Sequence, residues 1–257
     1  MPLRKTCILT LFPALYLGAI QSGEQADADE LVEKAFSYYR DDASVARVRM
    51  TIQRPDWKRV QIMHAWTLGE NQSLFTTIEP SRDKGNGTLK KDGDMWTYNP
   101  KVNRIIKLPP SMMAQAWMGS DFSNNDLAKA DSIIRNYTHT LLDTSTIDGQ
   151  TVYTVESIPY SDAPVVWGKQ ILKIREDLVF LEERFHDEEG KLVKTLYFED
   201  IEEISGKLYP RTMRMQPAVE PDQHTTVTYL DLTFPDSLPD WIFTRSSLRS
   251  PPDPEFQ

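Results

Sequence analysis

From Ser44 onward, apolar and polar residues alternate with a period of two over most of the chain, and this pattern restricts the fold more than any other feature. Ala46, Val48, Met50 and Ile52 interleave with Arg47, Arg49, Thr51 and Gln53; after Pro55-Asp56, Val60, Ile62, His64, Trp66 and Leu68 repeat the arrangement. Such alternation gives a strand one apolar and one polar face, as in half-buried antiparallel sheets. Leu74 to Ile78 forms a third strand closed by Pro80, and Met95 to Tyr98 with Arg104 to Leu108 flank the turn formers Asn99-Pro100-Lys101-Val102-Asn103 as a hairpin. A meander follows: Val152 to Ile158, Lys169 to Arg175, Val179 to His186, Leu192 to Phe198, Leu208 to Met215 and Val227 to Phe234. The expected class is α+β, mainly antiparallel β. About ten or eleven strands on one chain would curl or close to hide their edges.

Helical spacing is confined to short stretches. Acidic residues at Asp27, Asp29 and Glu30 suit the positive end of a helix dipole, and Leu31, Val32, Ala35, Phe36 and Tyr39 continue an amphipathic helix to about Arg40. Ser120 or Asp121 can cap a turn, Asn125 to Ala130 reads as another short helix, and Ile133 to Leu142 reads as extended. Leu108 to Met118 is apolar beyond what a surface loop tolerates: Pro109, Pro110, Met112, Met113, Ala114, Ala116, Trp117 and Met118 must be buried or lent to an apolar partner. Pro110 near a first turn, with Met113, Ala116 and Trp117 on one face, predicts a lid helix. Methionine suits such a lid because its side chain repacks against differently shaped partners at little cost. The segment can complete the core or cover a cavity, and the two are compatible.

Residues 1–26 read as a secretory leader: Arg4 and Lys5 precede an apolar run from Ile8 to Ile20, too short to span a bilayer, with the cut expected between Ser22 and Ala28. Residues 27–257 are then expected to form one domain in an extracytoplasmic compartment, the periplasm. The only cysteine, Cys7, lies inside the leader, so thiol catalysis, disulfides and cysteine metal sites are excluded from the mature chain. A net charge of -9 opposes binding to nucleic acid. The tail alternates prolines with Trp241, Phe243 and Leu248 and is expected to wrap the surface.

Patterns that carry chemistry are missing. His64, His139, His186 and His224 are never within four residues of one another, and no zinc-type spacing, nucleophile elbow, phosphate loop or dinucleotide fingerprint is present. Asp187-Glu188-Glu189 and the acidic run from Glu199 to Glu203 read as solvated turns. His64 reads as a core histidine. Arg47, Arg49, Arg211 and Arg214 read as solvent-facing rows, the alternative being that one reaches a cavity mouth to hold lid carbonyls or an anion. Six tryptophans from separate strands and loops suggest one large shared interior. No enzyme, metal or cofactor is expected.

The stretch GNGTLKKDGDMWTYNPKVNRIIKLPPSMMAQAWMGSDFSNNDL at residues 85–127, with MTIQRPDWKRVQIMHAWTLGE at 50–70 and LYPRTMRM at 208–215, resembles the LolA-like outer-membrane lipoprotein-sorting proteins, in the branch found beside resistance-nodulation-division (RND) exporters. The resemblance implies an incomplete, half-open β-barrel with short helices over an apolar cavity that accepts acyl chains. It implies a lipid-binding wall and lid at Trp66, Met95, Trp96, Tyr98, Ile105, Ile106, Met112, Met113, Trp117 and Met118. The function it implies is that of a monomeric periplasmic carrier or chaperone taking lipoprotein acyl chains or lipid towards the outer membrane. The alternatives are an accessory module of an RND-type exporter that binds a protein segment, and a hydrolase, which needs two acidic residues facing each other in the cleft.

Overall fold

The computed structural model describes residues 18–253, with side chains from residue 27 onward. Residues 1–17 of the expected leader lie outside them, and the expected cut falls in the first turns of helix α1 (Gly18–Arg40). Strands β1 (Ala43–Gln53), β2 (Lys58–Leu68), β3 (Gln72–Glu79), β4 (Gly87–Lys91), β5 (Asp94–Asn99) and β6 (Arg104–Lys107) follow. A connection carries two single 3-10 turns, Pro110–Met112 and Trp117–Gly119, and helices α2 (Asn124–Ala128) and α3 (Ser132–Asn136). Then come β7 (Tyr137–Ile147), β8 (Gln150–Pro159), β9 (Lys169–Arg175), β10 (Phe180–His186), β11 (Leu192–Ile204), β12 (Lys207–Pro217), β13 (His224–Thr233), a 3-10 turn at Asp240–Ile242 and α4 (Arg245–Arg249). Among the described residues no helix is long and apolar enough to cross a membrane.

All thirteen strands belong to one antiparallel sheet in the order β6-β5-β4-β3-β2-β1-β13-β12-β11-β10-β9-β8-β7. Two meanders, β1 to β6 and β7 to β13, meet where β1 pairs with β13, leaving β6 and β7 as open edges. The result is the half-open, mainly antiparallel β-barrel with short helices that the resemblance implies. Because β6 and β7 lie at opposite edges, residues 108–136 must cross a whole face of the sheet. That face is the inner one.

Register assigns side chains to faces, since directly opposed residues share a face. Ala46↔Ala65↔Phe75↔Thr88 and Val48↔Met63 run along the inner face. Val45↔Trp66↔Leu74↔Leu89↔Trp96 run along the outer one. The tail lies over this outer row: Leu238, Ile242, Phe243 and Leu248 form one buried cluster with Ala43, Trp66, Leu74 and Leu89. The tail packs close against Gly87, where a Cβ would stand 2.9 Å from the end of the Leu248 side chain.

Several expectations change for physical reasons. The sheet has thirteen strands rather than ten or eleven, and β4 is the clearest addition: four of its five residues are buried. With the tail on one side and the crossing segment on the other, β4 never shows a polar and an apolar face. Residues 132–136 are helical, not extended, because Ile133 packs with Val32, Ala35 and Phe36 of α1 and this packing outweighs the β preference of isoleucine. The tryptophans do not share one interior. Trp117 and Trp167 face inward, Trp66 and Trp96 lie under the tail, and Trp57 and Trp241 are about half exposed.

Phe243 is fully buried in the outer cluster. Phe243→Ala should lower the unfolding free energy in a urea titration by about 3–5 kcal/mol, the usual loss for a large aromatic from a core. A loss under about 1 kcal/mol would show that the tail does not secure the outer face.

Candidate functional site

Between the inner face and the crossing segment lies a hollow made of two adjoining cavities of about 230 and 120 Å³. They share Tyr39 and Arg40 from the end of α1, and Phe122, Asp126 and Ala130 from the crossing segment. Ala46, Val48, Met63, Ala65, Phe75, Tyr209, Met213 and Val227 wall the larger cavity, with Trp117 and Leu127 above them. Phe180, Phe185, Leu196, Phe198 and Met215 wall the smaller one, beside Tyr137 and Trp167. An apolar lining with a few polar groups is the usual character of a small-molecule site.

The cover is tied down by polar contacts at points along its length. Trp117 donates from its indole to Thr88 Oγ1 at 3.0 Å and meets the Phe75 ring edge-on at 5.3 Å. Arg59 on β2 donates to the Met118 carbonyl. The glycine that follows permits this: Gly119 has φ +73 and a Cβ there would stand 2.9 Å from Arg59 Nη2. Arg54 binds the Asp121 carboxylate through both terminal nitrogens, at 2.9 and 3.1 Å. Thr225 on β13 accepts from the Asp121 amide and donates to its carboxylate. Ser123 caps α2 in a reciprocal box with Asp126, whose other contact is a buried ion pair with Lys194 on β11. Bidentate and buried pairs of this kind hold geometry far better than exposed ones.

Inside, charge is scarce and constrained. Tyr39 stacks on Tyr209 at 5.0 Å, and burial pushes both phenols well above their usual range, so the ring wall stays neutral. Glu183 on β10 lines the smaller cavity and makes no hydrogen bond or ion pair among the described residues. Burial pushes its carboxyl up to about 8, the Asp126 carboxylate acts in the same direction, and Lys194 opposes them. Lys194 itself lies over the Trp167 ring at 5.1 Å and donates to the Asp121 carbonyl at 3.3 Å.

Of the ten residues expected to form the wall and lid, Trp117 alone lines these two cavities. Trp66, Trp96, Tyr98 and Ile105 pack on the outer face beneath the tail. Met95 is buried on the inner face opposite Lys90, and Ile106 on edge strand β6 is 48% exposed. Met112, Met113 and Met118 are half-buried in the cover, with Met118 against the inner cluster. No continuous lid helix forms. Pro109 and Ala116 are extended, and Met118 adopts φ 52, so the spacing of Met113, Ala116 and Trp117 never becomes a helical face. The methionines that do line the hollow, Met63, Met213 and Met215, come from strands.

The four arginines singled out in the sequence do not reach the cover. Arg47, Arg211 and Arg214 pair with Asp231, Glu202 and Glu199, so the ordinary row is what forms. Arg54 and Arg59 do the holding, and neither was expected; both sit in MTIQRPDWKRVQIMHAWTLGE, where the only signal was a cation beside a turn-forming Pro-Asp. His64 lies on the outer face, edge-on to Trp66 at 5.8 Å.

Fold and site define a half-open β-barrel with a covered apolar hollow. Comparison with known proteins agrees. A family profile described only as "uncharacterized protein" matches residues 69–250. A DUF1329 family protein from Desulfovibrio piger superimposes with a TM-score of 0.79 at 23% identity, over 88% of this chain and 99% of that one. A domain from Vibrio parahaemolyticus proposed to act in outer membrane lipoprotein sorting gives 0.76 at 22%, over 88% and 99%. A LolA superfamily protein from Nitrosomonas europaea gives 0.70 at 26%, over 85% and 98%. No curated protein matches. The chain belongs to the LolA-like family.

Glu183 supplies a test of the hollow's polarity. Its folded pKa lies above the value of about 4.3 for a free glutamate, so the folded chain holds an extra proton between the two values. The stability this contributes is complete below the lower value and is lost as pH rises through about 8. Glu183→Gln should melt several degrees above the wild type at pH 9 and close to it at pH 4.5. A difference that does not change with pH would place the carboxylate in water.

Proposed function

We propose that the protein is a periplasmic, non-enzymatic carrier that takes the acyl chains of a lipoprotein or lipid into the hollow and passes them towards the outer membrane. The observation that carries this reading is the pair of adjoining apolar cavities left beneath a cover that is tied by polar contacts and packs on the walls only at separate points such as Trp117, Phe122 and Ile133. Burying a methylene contributes about 0.8 kcal/mol, so a sixteen-carbon chain gains on the order of ten kcal/mol before ordering costs. That is enough to keep a chain out of water, and a cover held by a few ion pairs and hydrogen bonds can still release it.

The lining also supports acyl chains over a protein segment from an RND-type exporter. A peptide would bury backbone amides and carbonyls that need hydrogen-bond partners, and the walls of the larger cavity are mainly aliphatic and aromatic. A hydrolase would need two free carboxyl groups placed on either side of a scissile bond. Asp126 and Glu183 both line the smaller cavity, but Asp126 is held in place through Oδ2 as the cap of α2 and the partner of Lys194, so its role is to fix the cover.

Ala65 lines the larger cavity from β2. Ala65→Trp should fill this space and weaken uptake of a sixteen-carbon fluorescent fatty acid by tenfold or more, while the far-ultraviolet circular dichroism stays that of the wild type. Unchanged uptake in a folded variant would put the chain elsewhere.

A further inference from the structure

Beside the hollow lies a cleft of about 230 Å³ with a different chemistry, lined among others by Glu70, Lys90, Lys129, Asp131, Ser132 and Arg135. Lys129 and Ser132 also line the smaller apolar cavity, so the cleft and the hollow adjoin. Arg40, at the end of α1, lines both cavities of the hollow and bonds Asp131 from the other side at 2.6 Å.

Lys90 is the unusual member. Its side chain is 5% exposed, and its contact is with Asp131 Oδ2 at 3.4 Å. An ammonium carries three donors, and this one shares its single carboxylate with Arg40, which holds the shorter bond. Burial lowers the Lys90 pKa, Asp131 opposes that shift, and the Arg40 charge adds to it. Lys129 donates to the Pro164 carbonyl, which brings no negative charge, and Arg135 is paired with Glu70 while largely exposed. Within the cleft three cations, Lys90, Lys129 and Arg135, therefore face two carboxylates, Glu70 and Asp131, with Arg40 bound to Asp131 from outside it, in a chain whose net charge is -9. Screening over about 8 Å at physiological salt makes this local surplus, not the distant acidic surface, the field that a ligand in the cleft meets.

We propose that this cleft is an anion site that holds the phosphate of a lipid headgroup while the attached chains lie in the hollow. Lys90 supplies unused donors, Lys129 and Arg135 close over the anion, and Arg40 keeps Asp131 from competing for it. The inference rests on the carrier reading and narrows its ligand to a phosphate-bearing amphiphile.

Calorimetry on the full chain, with hexadecyl phosphate, hexadecanol and inorganic phosphate as separate probes, distinguishes the outcomes. Hexadecyl phosphate should bind at least tenfold tighter than hexadecanol. Lys90→Met should erase that preference and leave hexadecanol within twofold of wild type, and Arg135→Gln, at an exposed pair that folding does not need, should reduce it severalfold. Equal binding of the two amphiphiles, or a preference that survives in both variants, overturns the anion site. Inorganic phosphate bound as tightly as hexadecyl phosphate overturns the headgroup assignment. If neither amphiphile binds, the carrier reading itself falls.

Discussion

The two meanders of the sheet end at opposite edges, and the chain can join them only by crossing the inner face. A crossing of residues 108–136, with two single 3-10 turns and two five-residue helices, cannot interdigitate with thirteen strands as another sheet would. It touches down at Trp117, Phe122, Asp126 and Ile133 and spans the gaps between them. The hollow is thus a consequence of topology. Its position under the crossing, beside the end of α1, follows from the same constraint.

Holding such a cover in place without filling the space beneath it requires directional contacts, and these sit at points along its length. The Arg54–Asp121 pair is half-buried just past the end of β1, the Lys194–Asp126 pair is buried at β11, and Arg59 reaches the Met118 carbonyl from β2. Charged groups enter the hollow at Arg40, Asp126 and Lys129, while the Tyr39 and Tyr209 phenols and the Glu183 carboxyl, which burial holds protonated, add no charge to it. Polar strength at the contacts and low charge inside are complementary.

The alternation of residues made the sheet, its antiparallel pairing and most of its strands legible, because a half-buried strand repeats every two residues whatever its neighbours. It failed at β4, where both faces are covered and Lys90 lies buried. The hairpin aromatics Trp96 and Tyr98 were correctly placed on strands, but alternation does not say which apolar face is the inner one. An outer face covered by a tail carries the same pattern as an inner face that lines a cavity. The crossing segment was recognised as apolar and misread as a helix, since periodicity over nine residues cannot reveal that Ala116 is extended and Met118 left-handed. Arg54, Arg59 and Lys194 were not legible, because a cation gains its role from a carboxylate or carbonyl far away in sequence.

Native mass spectrometry of the protein released from cells without detergent tests the central claim most directly. The account predicts a population carrying a non-covalent adduct whose mass matches an acylated lipid or lipoprotein and which collisional activation removes. A protein that appears only at its bare mass, both as isolated and after incubation with lipid vesicles, would contradict the account.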